Sequence, residues 1–193
     1  DPDARSMATS GRGSGVVGYN VQVAVDTEHH LIVTHDVINI GNDRAQLARM
    51  SKLAKEMLDV EELEAVADRG YFDSQEILAC EQAGVIATLP KPMSSGAKAK
   101  GRFGKQDFVY LPDKDVYRCP SGELLPYHCT SVENDMALRR YWSTAGCNAC
   151  KIKNQCTTSK ERRVTRWEHE EVVERVQKRL DANPDAMRTR RET

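Results

Sequence analysis

The sequence predicts an α/β fold with a mixed sheet, joined to a small cysteine-rich region and a charged helical tail. Three observations point there. Segments rich in β-branched residues alternate with segments of helical periodicity between residues 16 and 89. Five of the six cysteines crowd between Cys119 and Cys156. From about Arg162 the chain turns strongly charged, with apolar residues at helix-like spacing. The expected organisation is a flexible lead-in (1–15), an α/β core (16–105), a cysteine-rich insertion (106–160) and a charged helical segment (161–193).

Each element follows from local chemistry. The lead-in is polar and ends in Gly11-Arg12-Gly13-Ser14-Gly15, which reads as flexible chain. No helical pattern follows these glycines, so they do not form a phosphate cradle. Val16–Asp26 and Leu31–Val37 read as two strands of a hairpin around Glu28-His29-His30. In the first strand Tyr19, Val21, Val23 and Val25 share one face, and Asn20, Gln22 and Ala24 the other. Asp43 is placed to cap a helix over 44–58 that carries Leu47, Met50, Leu53, Ala54, Met57 and Leu58 on one stripe. Glu64–Ala67 is a short buried strand ending at Asp68. Ser74 opens a second helix that Gly84 stops, and Val85–Leu89 is a further strand. Lys91–Lys105 is a basic loop without an acidic residue. Trp167, Val172, Val173, Val176 and Leu180 predict a late helix closed by Asn183-Pro184.

Bulk composition narrows the function. The 193 residues are 39% hydrophobic and 30% charged, enough for a packed core under a polar surface. Lys and Arg number 28 against 29 Asp and Glu, so the net charge of -1 gives no global argument for nucleic acid; local patches must supply it. No apolar run is long enough to cross a bilayer. The start, Asp1-Pro2-Asp3-Ala4-Arg5, has neither an initiator Met nor a signal-peptide core. The expectation is a fragment or processed chain that is cytoplasmic rather than secreted or membrane-bound.

Three sets of residues carry chemistry. Asp68 ends an apolar strand and precedes Gly70 and a helix. In open α/β sheets ligands gather at the carboxyl ends of strands, and a carboxylate there can hold a hard divalent cation. The same position also suits a simple turn cap. Cys147 and Cys150 form a C-x-x-C pair, Cys156 follows, and Cys119 precedes a Pro120-Ser121-Gly122 knuckle. Without secretory signals such spacing reads as metal binding before disulfides. The expected zinc ligands are Cys119, Cys147, Cys150 and Cys156, with His128 and Cys129 in reserve, against the alternative of reduced, partly buried thiols. Zinc suits a region with little apolar core, because a structural site supplies roughly 10–16 kcal/mol of binding free energy. Basic residues cluster at Lys91–Lys105, at Arg139-Arg140 beside Tyr141-Trp142, and at Lys160, Arg162, Arg163 and Arg166 beside Trp167. Basic groups neutralise phosphates and aromatics stack on bases. Taken singly, each patch also reads as a solvated face; Arg162, Arg163 and Arg166 are the expected DNA contacts. His29 and His30 sit at a turn, and His169 in the charged tail.

The strings Asp1–Met7, Gly18-Tyr19-Asn20-Val21-Gln22, Asn42-Asp43-Arg44 and Ala67-Asp68-Arg69-Gly70-Tyr71 resemble, in order and over nearly the whole chain, bacterial insertion-sequence transposases of the DDE type. That resemblance implies a ribonuclease-H-like catalytic domain. It would cut and join DNA with two Mg²⁺ (or Mn²⁺) ions held by two Asp and one Glu, clamping an in-line phosphoryl transfer from about 3.5–4 Å apart. It places Asp68 as the second catalytic Asp, and Cys-rich insertions occur between that Asp and the Glu in similar transposases. The first Asp belongs on a strand before the hairpin; Asp1 and Asp3 lie in the lead-in and read as turn residues. The family Glu follows an Arg by four residues. Arg191 fits that Arg, while Glu192 is adjacent to it and on the wrong helical face. The expectation is one metal-binding carboxylate of three, hence a chain inactive by itself, with DNA as partner and a homo-oligomeric parent. Two rival readings stand beside it: a non-catalytic zinc-containing DNA-binding module, and a degenerate remnant.

Overall fold

The computed structural model describes residues 1–8, 15–92 and 96–193. The Gly11–Ser14 glycine-rich stretch and the Met93–Ser95 part of the basic loop fall outside the described residues. The chain divides into two compact units: Asp1–Pro92 with Glu171–Thr193, and Met93–Glu170. These boundaries differ from the expected 105/106 and 160/161 divisions: most of the basic loop, from residue 93, and residues 161–170 of the tail belong to the second unit.

In the first unit the expected lead-in contains a strand. β1 (Arg5–Ala8) pairs antiparallel with β2 (Gly15–Gly18). The long first strand of the predicted hairpin is broken at Tyr19, so that β2 is followed by β3 (Asn20–Val25). β3 pairs antiparallel with β4 (Ile32–Ile38), across a turn in which His30 adopts φ 58°. The faces fall as alternation requires, but the polar face is the inner one: Gln22 is 2% exposed, whereas Val21 and Val23 are 58% and 44% exposed. Helix α1 (Leu47–Leu58) starts three residues later than predicted. Its N-cap is Gln46 rather than Asp43, whose carboxylate is engaged elsewhere.

Next come β5 (Leu63–Val66), a 3-10 turn at Arg69–Tyr71, α2 (Ser74–Gln82) and β6 (Val85–Thr88). β5 and β6 run parallel with Leu63 opposite Val85, a strand–helix–strand unit. Asp73 caps α2 by accepting from the backbone N–H groups of Gln75 and Glu76, and Gly84, at φ +69°, ends it. α5 (Glu170–Ala182) and α6 (Ala186–Glu192) complete the charged tail, separated near Pro184 as predicted. The core joins Leu47 and Ala48 of α1, Ile77 and Cys80 of α2, Val85, Ala87 and Leu89 around β6, and Val172 and Val176 of α5.

The second unit contains α3 (Gly96–Ala99), then β7 (Val109–Leu111), β8 (Val116–Arg118), β9 (Leu124–Glu133) and β10 (Met136–Tyr141), α4 (Thr144–Ala149) and β11 (Val164–Trp167). The strands form one five-stranded antiparallel sheet in the order β11-β10-β9-β8-β7. Asn134 and Asp135, at φ 50° and 60°, make the left-handed two-residue turn that joins β9 to β10. Trp167, expected on a helix, ends strand β11. The observed fold class is therefore mixed α/β, with several small sheets and this antiparallel sheet. No helix among the described residues is long and apolar enough to cross a membrane.

Candidate functional site

Asp68 stands just beyond the carboxyl end of β5, where the sequence placed it. Its backbone is extended, and its Oδ1 accepts from the Gly70 N–H at 2.7 Å, capping the 3-10 turn. Oδ2 takes a hydrogen bond from Arg190 Nη2 of α6 at 2.9 Å. The carboxylate is 42% exposed and so open to solvent on one side. A methyl group at 70 would stand 2.9 Å from Asp68 Oδ1 and 3.7 Å from Asp43 Oδ2, so it would displace the Asp68 carboxylate.

A polar network lies beside it. Asp43 Oδ1 accepts from Asn20 Nδ2 and Gln22 Nε2, each at 2.8 Å. Gln22 Nε2 also donates to Asn20 Oδ1 at 2.9 Å, and its Oε1 accepts the Tyr71 hydroxyl proton at 2.5 Å. Burial, reinforced by the Asp43 and Asp68 carboxylates, pushes the Tyr71 phenol up to about 12. The network thus ties β3 to the turn that carries Asp68. It joins three of the strings that carried the sequence resemblance: Gly18–Gln22, Asn42–Arg44 and Ala67–Tyr71. Asp43 was read as a helix cap, and spacing alone held no sign that it would meet Gln22.

Asp1 lies at the beginning of the first unit, where its Oδ1 accepts from the Asp3 N–H and its Oδ2 from the Tyr19 hydroxyl. Glu192 sits near the end of α6 and pairs with Arg188 at 3.8 Å. Among the described residues, no three His, Cys, Asp or Glu side chains stand close enough together to form a metal shell.

The four expected zinc ligands border one cavity without forming a metal-ligating group among the described residues. Cys119, Cys147, Cys150 and Cys156 all line a single cavity of about 20 Å³ in the second unit, walled also by Phe103, Phe108, Leu125 and Arg162. Cys119 comes from the turn after β8, Cys147 from α4 and Cys150 from its C-cap, and Cys156 from a short 3-10 turn. Cys147 Sγ accepts from the Arg162 backbone N–H at 3.4 Å. Burial pushes the Cys156 thiol up, Arg162 opposes this, and the other three cysteines add to it. All of the cysteines are unpaired thiols. Sharing a cavity wall is a looser condition than ligation, and the sulfurs are not drawn in to coordinating distance. The set nevertheless fits zinc in chemistry: four thiols, with a buried Arg162 Nε that lacks a hydrogen-bond partner and would offset an anionic thiolate centre. His128 and Cys129 do not line the cavity. His128 stacks on Trp142 at 3.7 Å, and Cys129 is exposed on β9.

The three arginines expected to meet DNA do not form one exposed surface. Arg166 is 7% exposed and lies over the Tyr110 ring at 4.0 Å. Arg162 lies over Phe108 at 5.3 Å. Only Arg163 is exposed; it lies over Trp142 at 4.7 Å and pairs with Glu161 at 2.8 Å. The register of the sheet explains this, since alternation on β11 sends Arg166 inward with Val164. Beneath them Asp115 accepts the hydroxyl protons of Tyr110 and Tyr141 and pairs with Arg139. Burial works against its charge, but those donors hold its carboxyl below the usual range.

Comparison with protein-family models, with curated proteins and with solved structures found no match for this chain. The class that fold and site define is a mixed α/β protein with a strand-end carboxylate and a separate four-thiol cavity.

Proposed function

We propose that this chain is part of a DDE-type transposase, in which Asp68 is one of the carboxylates that hold Mg²⁺ or Mn²⁺ for phosphoryl transfer on DNA. The observation that carries the reading is the position of Asp68: a partly exposed carboxylate past the end of a parallel strand, before the 3-10 turn that contains Gly70, in a unit of order β5-α2-β6. The antiparallel β3–β4 pair, a separate two-stranded sheet that shares helix α1 with that unit, is the feature in favour of a ribonuclease-H-like arrangement as the finer fold reading. A divalent ion held there would polarise a phosphoryl oxygen and lower the pKa of an attacking water. The contribution of this chain is to fix the carboxylate: Gly70 N–H holds one oxygen, Arg190 neutralises the other, and the Gln22–Tyr71 bond anchors the turn. The four thiols lining one cavity support a structural zinc site on Cys119, Cys147, Cys150 and Cys156. The partners are transposon-end and target DNA, within a cytoplasmic, nucleoid-associated homo-oligomer.

The test is DNA cleavage and strand joining by the natural gene product in Mg²⁺ or Mn²⁺. Asp68→Asn is expected to reduce the rate by at least about 10³-fold, since it removes a charge that acts in the transition state. Metal-dependent cleavage left unchanged by Asp68→Asn overturns the reading.

A further inference from the structure

The near-zero net charge hides a segregation. Residues 93–170 carry 14 Lys and Arg against 9 Asp and Glu, a net of +5, whereas the other unit carries 14 against 20, a net of -6. Within the positive unit the charge is not evenly spread. Residues 96–106 and 143–160 contain no acidic residue at all, yet hold Lys98, Lys100, Arg102, Lys105, Lys151, Lys153 and Lys160. The fold sets these two stretches side by side, because the Phe103 backbone N–H donates to the Gln155 carbonyl at 2.9 Å. Lys100, Lys151 and Lys160 are exposed. The first acid beyond Lys160, Glu161, is bonded to Thr144 and Arg163 and also lies in the field of Lys160, and Lys105 pairs with Glu170.

We propose that this lysine-rich surface, formed by residues 96–102 and 151–160, is where the protein contacts the phosphate backbone of duplex DNA. The choice of DNA as the polyanion rests on the reading above; the location does not. The arginines first expected to do this are committed to rings and to Glu161, and a guanidinium so held is a structural group. Exposed ammonium groups such as those of Lys100, Lys151 and Lys160 are suited to sequence-independent phosphate neutralisation, in which each contact releases condensed counterions. Polar Asn148, Asn154, Thr158 and Ser159, exposed among the lysines, add hydrogen-bond donors for phosphate oxygens. The surface therefore positions DNA and reads no sequence.

The experiment is fluorescence anisotropy of the full 193-residue chain with a labelled duplex of arbitrary sequence across a salt series. The wild type should bind with a steep inverse dependence on salt. Lys100→Glu/Lys151→Glu/Lys160→Glu should weaken binding at least about tenfold and flatten the log–log salt slope by about 2–3. Lys52→Glu/Lys178→Glu, a charge reversal at two exposed lysines of the other unit, should alter neither quantity. If the charge-reversed triple variant does not fold by circular dichroism, the Lys→Gln triple variant replaces it, with the same flattening expected. Salt-insensitive binding, a triple variant that binds like the wild type, an equal loss in the control pair, or binding to phosphatidylserine vesicles in place of DNA each overturns the proposal. Binding is read in the absence of divalent metal and of any cleavage, and under those conditions Asp68→Asn should leave affinity and slope intact. Loss of the catalytic reading and loss of this one are thus separately visible.

Discussion

Gln22 shows how much a single side chain decides in this protein. It is a buried amide on a strand whose valines face outward; its Nε2 donates to Asn20 and Asp43 and its Oε1 accepts from Tyr71. A buried polar group is tolerated only when it is so satisfied. Tyr71→Phe leaves the Gln22 Oε1 without that donor and is expected to cost about 1–3 kcal/mol at neutral pH. The same substitution should change the alkaline limb of stability. The folded Tyr71 phenol lies at about 12, above its ordinary 10.0. Its contribution is therefore complete below pH 10 and is lost as pH rises through about 12. Melting followed at helical wavelengths should fall across that window in the wild type and fall less in Tyr71→Phe. An unchanged decline would show that Tyr71 is not the group that titrates.

At the scale of elements, α2 makes the clearest case. Ile77, at 2% exposure, packs among Leu47, Val85 and Val176, so it joins α1, β6 and α5. Ile77→Ala should destabilise the chain by about 2–5 kcal/mol in chemical denaturation, because it removes buried methyl groups and leaves a cavity. The exposed Arg175–Glu81 pair bridges α5 and α2 as well, yet its removal should cost no more than about 1 kcal/mol, since solvent screens it. A larger effect from the ion pair than from Ile77 would reverse this ordering. These helices and the β5–α2–β6 unit were legible in the sequence, because their apolar spacing and Gly84 agree with the core they build, whereas their caps, Gln46 and Asp73, were not. Strand β1, the break at Tyr19 and strand β11 were not. β1 has no apolar alternation, and Trp167 satisfies a helical stripe and a strand end equally well until its partner β10 is known.

At the scale of the molecule, the two units are held by different means. The first has a core of aliphatic residues from four helices and strands; the second has a smaller cluster of Phe108, Tyr117, Leu125, Tyr141 and Val164, with Cys119 and Cys156 packed against it. Both tryptophans, Trp142 and Trp167, lie in the second unit, whereas α1, α2, α6 and nearly all of α5 lie in the first. Tryptophan fluorescence and helical ellipticity thus report on separate units. If zinc is bound at the four thiols, a strong chelator should lower the fluorescence-detected midpoint and leave the ellipticity-detected one in place, and Cys156→Ser should do the same. Metal analysis that finds no zinc, or a chelator that shifts neither midpoint, removes the zinc proposal.

The sequence by itself determined the α/β class, the position of Asp68 at a strand end, the helices of the first unit and the grouping of cysteines, because each is written in short-range spacing and turn chemistry. Only the tertiary structure decided that Gln22 is buried while Val21 is not, that Asp43 meets Gln22 instead of capping α1, that Arg166 of β11 is buried over Tyr110, and that Phe103 meets Gln155. Those outcomes depend on contacts between residues 20 to 60 positions apart. No local pattern encodes which face of a strand a distant element will cover.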